Sequence, residues 1–272
     1  MRNFTDRMYT KTELKEQLSA LAIPHNGIVL VHSSLRLIGQ VEGGGKTVLD
    51  ALIEHFTQNG GLLCIPTHTW NRIGKEITLD LYDPKTCLGA LSDLAAADER
   101  GLRSENPTHS MVVFGDRQHA EAFVADELHL SSGTDKNSCY GKLYREAGHV
   151  LLVGVSHSRN TYLHAVEEIL GTTNRLSPEK KDMAVRRKSG EIIHLRMHGH
   201  HTDFTSDVSA RFPQYETAFR YHGAIKDGFL GNAPVQACDA VLMKEVMELI
   251  LSRSNGADPL ATEAQIPPRW YC

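Results

Sequence analysis

The sequence predicts a single α/β domain with an antiparallel addition, and three patterns support this prediction. Apolar runs of strand length alternate with amphipathic segments of helix length in the first part of the chain. The first such unit has the order strand, loop, helix, turn and strand, which is typical of a right-handed parallel crossover. In the second half, the apolar segments 183–187 and 192–197 flank a Lys-Ser-Gly-Glu turn, which indicates a β-hairpin.

Helix-capping residues and the spacing of apolar residues locate the helices and strands of the first half of the chain. Thr10 and Glu13 form a capping box at the start of a helix. The predicted elements are a helix with Leu14, Leu18 and Leu21 on one face, a buried strand at 28–31, a helix at 45–57 and a buried strand at 62–65. The last three of these elements constitute the predicted crossover unit.

The later elements continue the alternation. We predict helices at 88–99, 118–124 and 161–170, strands at 111–114 and 150–155, and a polar loop at 128–140. Asp239 caps a last helix, whose apolar face carries Leu242, Val246, Leu249 and Ile250. Because we find neither an internal repeat nor a low-complexity linker, we expect residues 1–272 to form one domain.

The composition argues against several classes of protein. Hydrophobic residues make up 41% and charged residues 23%, which are ordinary values for a globular chain. The net charge of -4 argues against a nucleic-acid partner, and no apolar run approaches the ~20 residues of a membrane span. The start, residues 1–6, lacks the apolar stretch of a secretory signal. The chain has five scattered cysteines and no C-x-x-C pair, so we expect a reduced, cytoplasmic protein.

The segment 32–39 follows the first predicted strand and is a candidate ligand-binding loop. It reads His-Ser-Ser-Leu-Arg-Leu-Ile-Gly. In open α/β sheets, ligands bind at the carboxyl ends of the strands, where hydroxyls and backbone N–H groups can hold a phosphate or a thioester carbonyl. The alternative is a plain turn in which Ser34 caps a short helix.

The glycine-rich segment 41–47 does not form a phosphate-binding P-loop. That motif requires a glycine at the fifth position before Gly45-Lys46-Thr47, and Gln40 stands there. The glycines more simply allow the helix at 45–57 to begin close to a ligand or to another backbone segment.

Two loops beside predicted strands offer hydroxyls and imidazoles. The first reads Pro66-Thr67-His68-Thr69, and the second reads Asn-Pro-Thr-His-Ser over 106–110. Loops on a rigid scaffold are where ligands are usually held. The alternative is that these residues only form tight turns.

His164 and Glu167 are a candidate acid–base pair. They are three residues apart on the helix predicted at 161–170, so they share one face. A carboxylate beside an imidazole fixes its tautomer and raises its basicity, as a general base requires. The alternative is a surface ion pair without function.

A histidine cluster at residues 198–203 is a candidate metal site. His198, His200, His201 and Asp203 lie within six residues of each other. Imidazole and carboxylate groups bind divalent metals, although the spacing is not that of a helical metal motif. This cluster supports a rival interpretation, in which the protein is a metal-dependent hydrolase. The other interpretation of the cluster is a polar loop that faces the active cleft.

The motifs keep a characteristic order along the chain. They are His-Ser-Ser-Leu-Arg-x-Ile-Gly-x-Val-Glu-Gly-Gly from His32, Pro-Thr-His-Thr from Pro66, Asn-Pro-Thr-His-Ser from Asn106, and Leu-Leu-x-Gly-Val-x-x-x-x-Asn-Thr-x-Leu-His-x-x-Glu from Leu151. In this order they resemble the aminoglycoside 3-N-acetyltransferase family, which is distinct from the GNAT acetyltransferases. The resemblance runs from about Leu14 to Ala233.

The resemblance implies a fold and an activity. The implied fold is a three-layer α/β/α sandwich with a mostly parallel central sheet and a small antiparallel insertion, in which residues 172–235 form the substrate-side subregion. The implied activity is transfer of an acetyl group from acetyl-CoA to the 3-amino group of aminoglycoside antibiotics. No metal, nucleic-acid or membrane partner is expected, and the chain is expected to be a monomer or a homodimer.

The resemblance also implies roles for individual residues. It makes His164 the catalytic base and Glu167 the partner that orients it. The residues that it places around coenzyme A are His32, Ser33, Ser34, Leu35, Arg36, Ile38, Gly39, Thr67, Thr69, Ser110 and Met111. For the cationic sugar it suggests Asp203, with Asp83 and Glu168 as further candidates.

The chemistry expected of this site is direct transfer within a ternary complex, because no cysteine lies in a motif that would lower its pKa. Ser34 or Thr67 is expected to stabilise the oxyanion. The sequence departs from the family on the acceptor side, where Ala218 and Arg220 stand at positions that are commonly acidic. Another amine acceptor therefore stays open, as does a non-enzymatic coenzyme A or sugar-binding protein.

Overall fold

A computed structural model describes residues 7–272 of the chain. The first six residues, on which the expectation about a secretory signal rests, lie outside the described part. Within it, the strands are β1 (Met8–Tyr9), β2 (Ile28–Ser33), β3 (Gln40–Val41), β4 (Leu62–Pro66), β5 (Leu79–Asp80), β6 (Leu102–Arg103), β7 (Met111–Gly115), β8 (His149–Val153), β9 (Leu176–Arg186), β10 (Ile192–His200), β11 (Ile225–Leu230) and β12 (Ala233–Asp239).

The helices of residues 7–272 alternate with these strands. The α-helices are α1 (Lys11–Ala20), α2 (Leu35–Ile38), α3 (Gly44–Phe56), α4 (Ala90–Ala97), α5 (Arg117–Val124), α6 (Cys139–Arg145), α7 (Tyr162–Ile169), α8 (Glu216–Tyr221) and α9 (Ala240–Arg253). Shorter 3₁₀ segments include His157–Arg159 and Val208–Tyr215. No helix among the described residues is both long and apolar enough to cross a bilayer.

The main sheet has seven strands in the order β11-β12-β8-β2-β4-β7-β6. The central strand β2 runs parallel to both β4 and β8, so three consecutive strands form a parallel core. The flanking pairs are antiparallel on both sides. The predicted α/β class and the crossover from β2 through α3 to β4 are confirmed, and within the main sheet parallel pairing is confined to these three central strands.

Helices cover both faces of the main sheet, which gives the three expected layers. One face packs against α1, α3 and α4 through apolar side chains that include Leu14, Leu18 and Leu52. The other face packs against α5 to α9. Because β2 is covered on both sides, its run Ile28–Val31 is apolar at every position and fully buried.

The capping signals in the sequence have the predicted geometry. The Thr10 hydroxyl accepts from the Glu13 backbone N–H, and the Glu13 carboxylate accepts from the Thr10 N–H. Asp239 accepts from the Leu242 N–H at the start of α9. The predicted polar loop at 128–140 is wrong at its end. There, Ser138 caps α6, which the sequence analysis missed because two helical turns give little periodic signal.

The predicted hairpin forms, but it belongs to a second, smaller sheet. Strands β9 and β10 pair antiparallel, and β5 pairs with β9. The range 172–235 is thus divided between this small sheet and the edge of the main sheet, where β11 and the start of β12 lie. That residues 1–272 form one domain with a substrate-side subregion stays a prediction.

Gly231 lies in the turn between β11 and β12, in a conformation that disfavours a side chain. Its φ is +59°, and a Cβ there would approach the Ile38 carbonyl oxygen to 2.3 Å. We expect Gly231→Ala to lower the free energy of unfolding by about 3 kcal/mol, because left-handed strain adds to a clash with backbone. Gly190→Ala is the control, since φ there is +88° but nothing lies within 4 Å of a Cβ. Its expected cost is about 1 kcal/mol, and equal costs in urea unfolding would contradict the prediction.

Candidate functional site

A cleft of about 1000 Å³ opens at the carboxyl ends of the three parallel strands. Ser33 at the end of β2, Pro66 at the end of β4 and Val155 just beyond β8 line its floor. The strand β10 and the loop after it, from His198 to Ser209, form the opposite wall. The parallel core thus brings three strand ends to one edge, which is where ligands bind in open α/β sheets.

His164 lies in this cleft on the first turn of α7. Its Nδ1 is 3.8 Å from Oε2 of Glu167, one turn further along the helix, and its side chain is only 12% exposed. The imidazole is stacked on the His200 ring at 4.0 Å between centroids, and the edge of Phe212 meets it at 4.7 Å. The structure therefore brings the predicted pair together and fixes the plane of the imidazole from two sides.

Glu167 is the buried end of an ion-pair chain. Its Oε1 accepts from Arg175 Nε, and the Arg175 guanidinium also forms two hydrogen bonds with Asp258, at 2.8 and 2.9 Å. Burial raises the pKa of Glu167 to about 7, whereas the ion pair with Arg175 opposes that rise. Arg175 and Asp258 could not be predicted from the sequence pattern, because they lie 8 and 83 residues from their partners.

Four imidazoles contact each other in a row along the cleft, the imidazole stack, in which only His200 and His164 are close to parallel (21°) and the other two contacts are tilted (57° and 52°). Ring centroids are 4.6 Å apart between His68 and His109, 4.8 Å between His109 and His200, and 4.0 Å between His200 and His164. Burial lowers the pKa of all four rings, in the case of His200 to about 4. The stack is therefore neutral at pH 7, and a neutral imidazole is able to accept a proton.

The residues predicted to contact coenzyme A fall into three groups. His32, Ser33, Ser34, Leu35 and Arg36 line the cleft. Behind its surface, Thr67 bonds to the Ser110 hydroxyl at 3.0 Å, and Thr69 donates to the Pro107 carbonyl. The remaining three are Ile38 and Met111, which are buried in the core, and Gly39, which lies against Asn232.

The predicted substrate carboxylates lie at the rim of the cleft or outside it. Asp203 is 81% exposed and forms an ion pair with His201. Asp83 forms an ion pair with Arg72, and Glu168 is covered by the hydroxyls of Ser132 and Thr134. Asp207, which the sequence analysis missed, lines the cleft itself and caps the 3₁₀ segment Val208–Tyr215. The Asp-Val-Ser spacing is a capping signal, but it does not indicate which surface the carboxylate faces.

The side chains of the histidine cluster at residues 198–203 do not converge on one point. His198 Nδ1 bonds to the Ser177 carbonyl, His200 Nε2 bonds to Thr134, and His201 bonds to Asp203. Among residues 7–272, no three His, Cys, Asp or Glu side chains are arranged to hold a metal ion. The geometry thus gives the hydrolase interpretation no ligand set, whereas His200 belongs to the imidazole stack.

The fold and the site define an enzyme of the α/β class with a histidine–carboxylate pair at the edge of its sheet. The sequence profile of the aminoglycoside 3-N-acetyltransferase family matches residues 30–252. Because this match spans most of the chain, the protein belongs to that family.

Individual relatives are more distant. The SPbeta prophage-derived aminoglycoside N(3')-acetyltransferase-like protein YokD of Bacillus subtilis (strain 168) is 29% identical over 178 residues, which are 58% of this chain and 64% of YokD. The alignment therefore covers less than two thirds of the relative's length. The crystal structure of YokD has a TM-score of 0.79 at 21% identity and covers 93% of this chain and 97% of that chain.

Two further solved structures share the fold. A binary complex of AAC-IIIb with CoASH has a TM-score of 0.76 at 20% identity, covering 91% of this chain and 98% of that chain. A complex of the aminoglycoside acetyltransferase AAC(3)-IVa with a gentamicin has a TM-score of 0.75 at 24% identity, covering 93% of this chain and 92% of that chain. At these identities the likeness shows the fold alone.

The buried imidazoles make the stability of the protein depend on pH. In the unfolded chain each imidazole takes up a proton near pH 6.5, but the folded stack does not. The unfolded state therefore binds more protons below this pH, and each ring costs up to about 1.4 kcal/mol of stability per pH unit. Glu167 acts in the opposite direction between pH 4.5 and about 7, because the folded state holds its proton there. Burial also raises the pKa of Glu127 and Glu168, but it lowers the pKa of His32, His55 and His157 as well, so the imidazoles outnumber the carboxyl groups.

We therefore expect the free energy of unfolding to fall when the pH is lowered from 7.5 to 5.5. Urea unfolding at several pH values measures this slope. His109→Phe removes one titrating ring and is expected to lower the slope by about one proton. A stability that is constant or rises over this interval would show that the rings are not held neutral.

Proposed function

We propose that this protein transfers the acetyl group of acetyl-CoA to an amine, with the 3-amino group of an aminoglycoside as the acceptor. The observation that carries the proposal is the His164–Glu167 pair, buried side by side at the wall of the cleft. Membership of the family supports the reaction class. The CoASH and the gentamicin bound to two proteins of the same fold support the donor and the acceptor.

His164 is proposed to be the general base. Only a free amine attacks a thioester, so the substrate ammonium must first lose a proton. Because Nδ1 of His164 faces Glu167, Nε2 is the atom left to accept that proton. As the imidazole becomes charged, its attraction to Glu167 grows, and the long contact between them is of the kind that tightens when substrate binds.

The reaction balances without a covalent enzyme intermediate. The amine nitrogen attacks the thioester carbonyl, and a tetrahedral oxyanion forms. The attacking nitrogen then gives its second proton to His164, which has already passed the first, from the ammonium, to solvent. When the oxyanion collapses, the C–S bond breaks, the coenzyme A thiolate takes that second proton from His164, and a neutral amide is left. Cys64 and Cys139 are buried, and burial raises the pKa of both thiols, so neither is an activated nucleophile.

The donor is proposed to lie along residues 32–36, at the end of β2. Arg36 in this segment and Arg159 in the 3₁₀ segment after β8 both line the cleft and provide positive charge for the phosphates. Of the two hydroxyls expected to stabilise the oxyanion, Thr67 is already bonded to Ser110 and Arg103. The Ser34 hydroxyl lines the cleft and does not cap α2, which favours it as the donor.

We further propose where the protein acts and what it binds. We place the protein in the cytoplasm, as a monomer or homodimer that binds acetyl-CoA and a small amine, with neither a nucleic-acid nor a membrane partner. The exposed Asp203 and the cleft carboxylate of Asp207 are the candidates for holding the other ammonium groups of the acceptor.

A thiol-release assay with acetyl-CoA and a panel of aminoglycosides tests the proposed reaction. We expect wild-type protein to release thiol, and His164→Ala to reduce turnover by roughly 10²–10⁴ while acetyl-CoA binding stays nearly intact. Calorimetry with acetyl-CoA is the control for binding. Normal turnover in the variant would remove His164 from its role. Acetyl-CoA binding without thiol release from any amine would indicate a binding protein instead.

The two candidate substrate carboxylates are distinguished by paired variants. Because Asp207 lines the cleft and Asp203 is paired with His201 at its rim, we expect Asp207→Asn to raise KM for an aminoglycoside about tenfold and Asp203→Asn to raise it less. Steady-state kinetics at saturating acetyl-CoA measures both values. A KM that neither substitution changes would mean that other groups hold the acceptor.

A further inference from the structure

Glu168, the carboxylate next to Glu167, is linked to the His164 ring through a chain of side chains. Thr134 donates its hydroxyl to Glu168 Oε1 at 2.7 Å, and the same hydroxyl oxygen is 2.8 Å from Nε2 of His200. The His200 ring in turn lies face to face with His164, at 4.0 Å and an interplanar angle of 21°. A buried carboxylate, a hydroxyl and two imidazoles thus form one continuous path.

The hydrogen bonds of this path determine which His200 nitrogen carries the proton. An ionised carboxylate only accepts, and the Ser132 hydroxyl lies 2.7 Å from both Glu168 oxygens. Thr134 has one hydroxyl proton, which goes to Glu168. The bond between Thr134 and His200 therefore requires His200 to donate from Nε2, and the carboxylate fixes this tautomer.

His200 is also one half of a clamp around the proposed base. The edge of Phe212 meets His164 at 4.7 Å and 66°, while His200 covers its face. Stacked rings of this kind define an orientation but leave the in-plane position adjustable. Because Thr134 anchors the His200 ring, His200 can hold His164 in one position with Nδ1 toward Glu167.

We propose that His200, held by Thr134 and Glu168, is a positioning residue for His164. It orients the ring of the base, and its electron-rich face, with the Glu168 charge behind it, stabilises the imidazolium that forms during transfer. The kinetic consequence of this inference rests on the proposed function, but the geometry of the path from Glu168 to His164 does not depend on the reaction.

The direction of the electrostatic effect follows from the groups around His164. Glu167 on the same helix favours the imidazolium, whereas Arg175 behind Glu167 and the rings of His68 and His200, when charged, oppose it. Burial raises the pKa of Glu168, and the hydroxyls of Thr134 and Ser132 oppose that rise, so loss of the Thr134 hydroxyl makes Glu168 become neutral more readily. The pKa of His164 then falls. A variant that merely loosens the packing admits water and moves that pKa upward, toward its ordinary value.

Thr134→Val tests the proposal, because it keeps the volume of the side chain and removes the hydroxyl. We expect kcat to fall about tenfold, KM for acetyl-CoA to stay constant, and the acid limb of the kcat profile to move to lower pH. His200→Phe keeps a ring against His164 and breaks the same bridge, so it is expected to behave alike. The control is Thr78→Val, which removes a buried hydroxyl bonded to the Ala184 N–H, next to the small sheet, and is expected to leave kcat unchanged.

A shift of the acid limb to higher pH, or an equal loss in Thr78→Val, would overturn the proposal in favour of a structural role. Imidazole ¹⁵N NMR of the wild-type protein separates this outcome from failure of the proposed function. We expect His200 to show the Nε2–H tautomer at pH 7 in the wild type and a mixture of tautomers in Thr134→Val. An Nδ1–H tautomer in the wild type would contradict the hydrogen-bonded path from Glu168 through Thr134 to His200, whether or not any amine is acetylated.

Discussion

The site depends on keeping His164 neutral and fixed in orientation while it is almost completely buried. Burial alone would make this imidazole a poor base, because the charged form loses its hydration. Glu167 compensates from one side, and Arg175 with Asp258 anchors Glu167. Rings hold the other sides of His164. His164, Glu167 and the surrounding rings therefore form one interacting unit, in which each group sets the electrostatic environment of the others.

The main sheet makes this arrangement possible, because its three central strands are parallel. Their carboxyl ends meet at one edge, so the loops after β2, β4 and β8 approach each other although they are far apart in the chain. Because β7 runs antiparallel to β4 and begins at that same edge, the loop before β7 also reaches the cleft and brings His109 to it. The small sheet of β5, β9 and β10 then closes the cleft and supplies His200, which completes the imidazole stack.

Four histidines from four separate segments of the chain form one cluster in the fold. His68 and His109 come from loops beside β4 and β7, His164 comes from α7, and His200 comes from the end of β10. In the sequence, the neighbours of His200 suggested a metal site. In the fold, His198 and His201 bond elsewhere, and only His200 joins the stack. A cluster along the chain and a cluster in space are therefore different sets of residues.

The sequence by itself determined what depends on neighbouring residues. Capping by Thr10 and Asp239, the buried runs of β2, β4 and β8, and the pairing of His164 with Glu167 within one helical turn all follow from local geometry. Only the tertiary structure decided which side chains converge from distant segments. Arg175 with Asp258, Thr134 with His200, and Asp207 in the cleft wall are such cases. Their contacts arise from the packing of separate elements, which leaves no periodic signal along the chain.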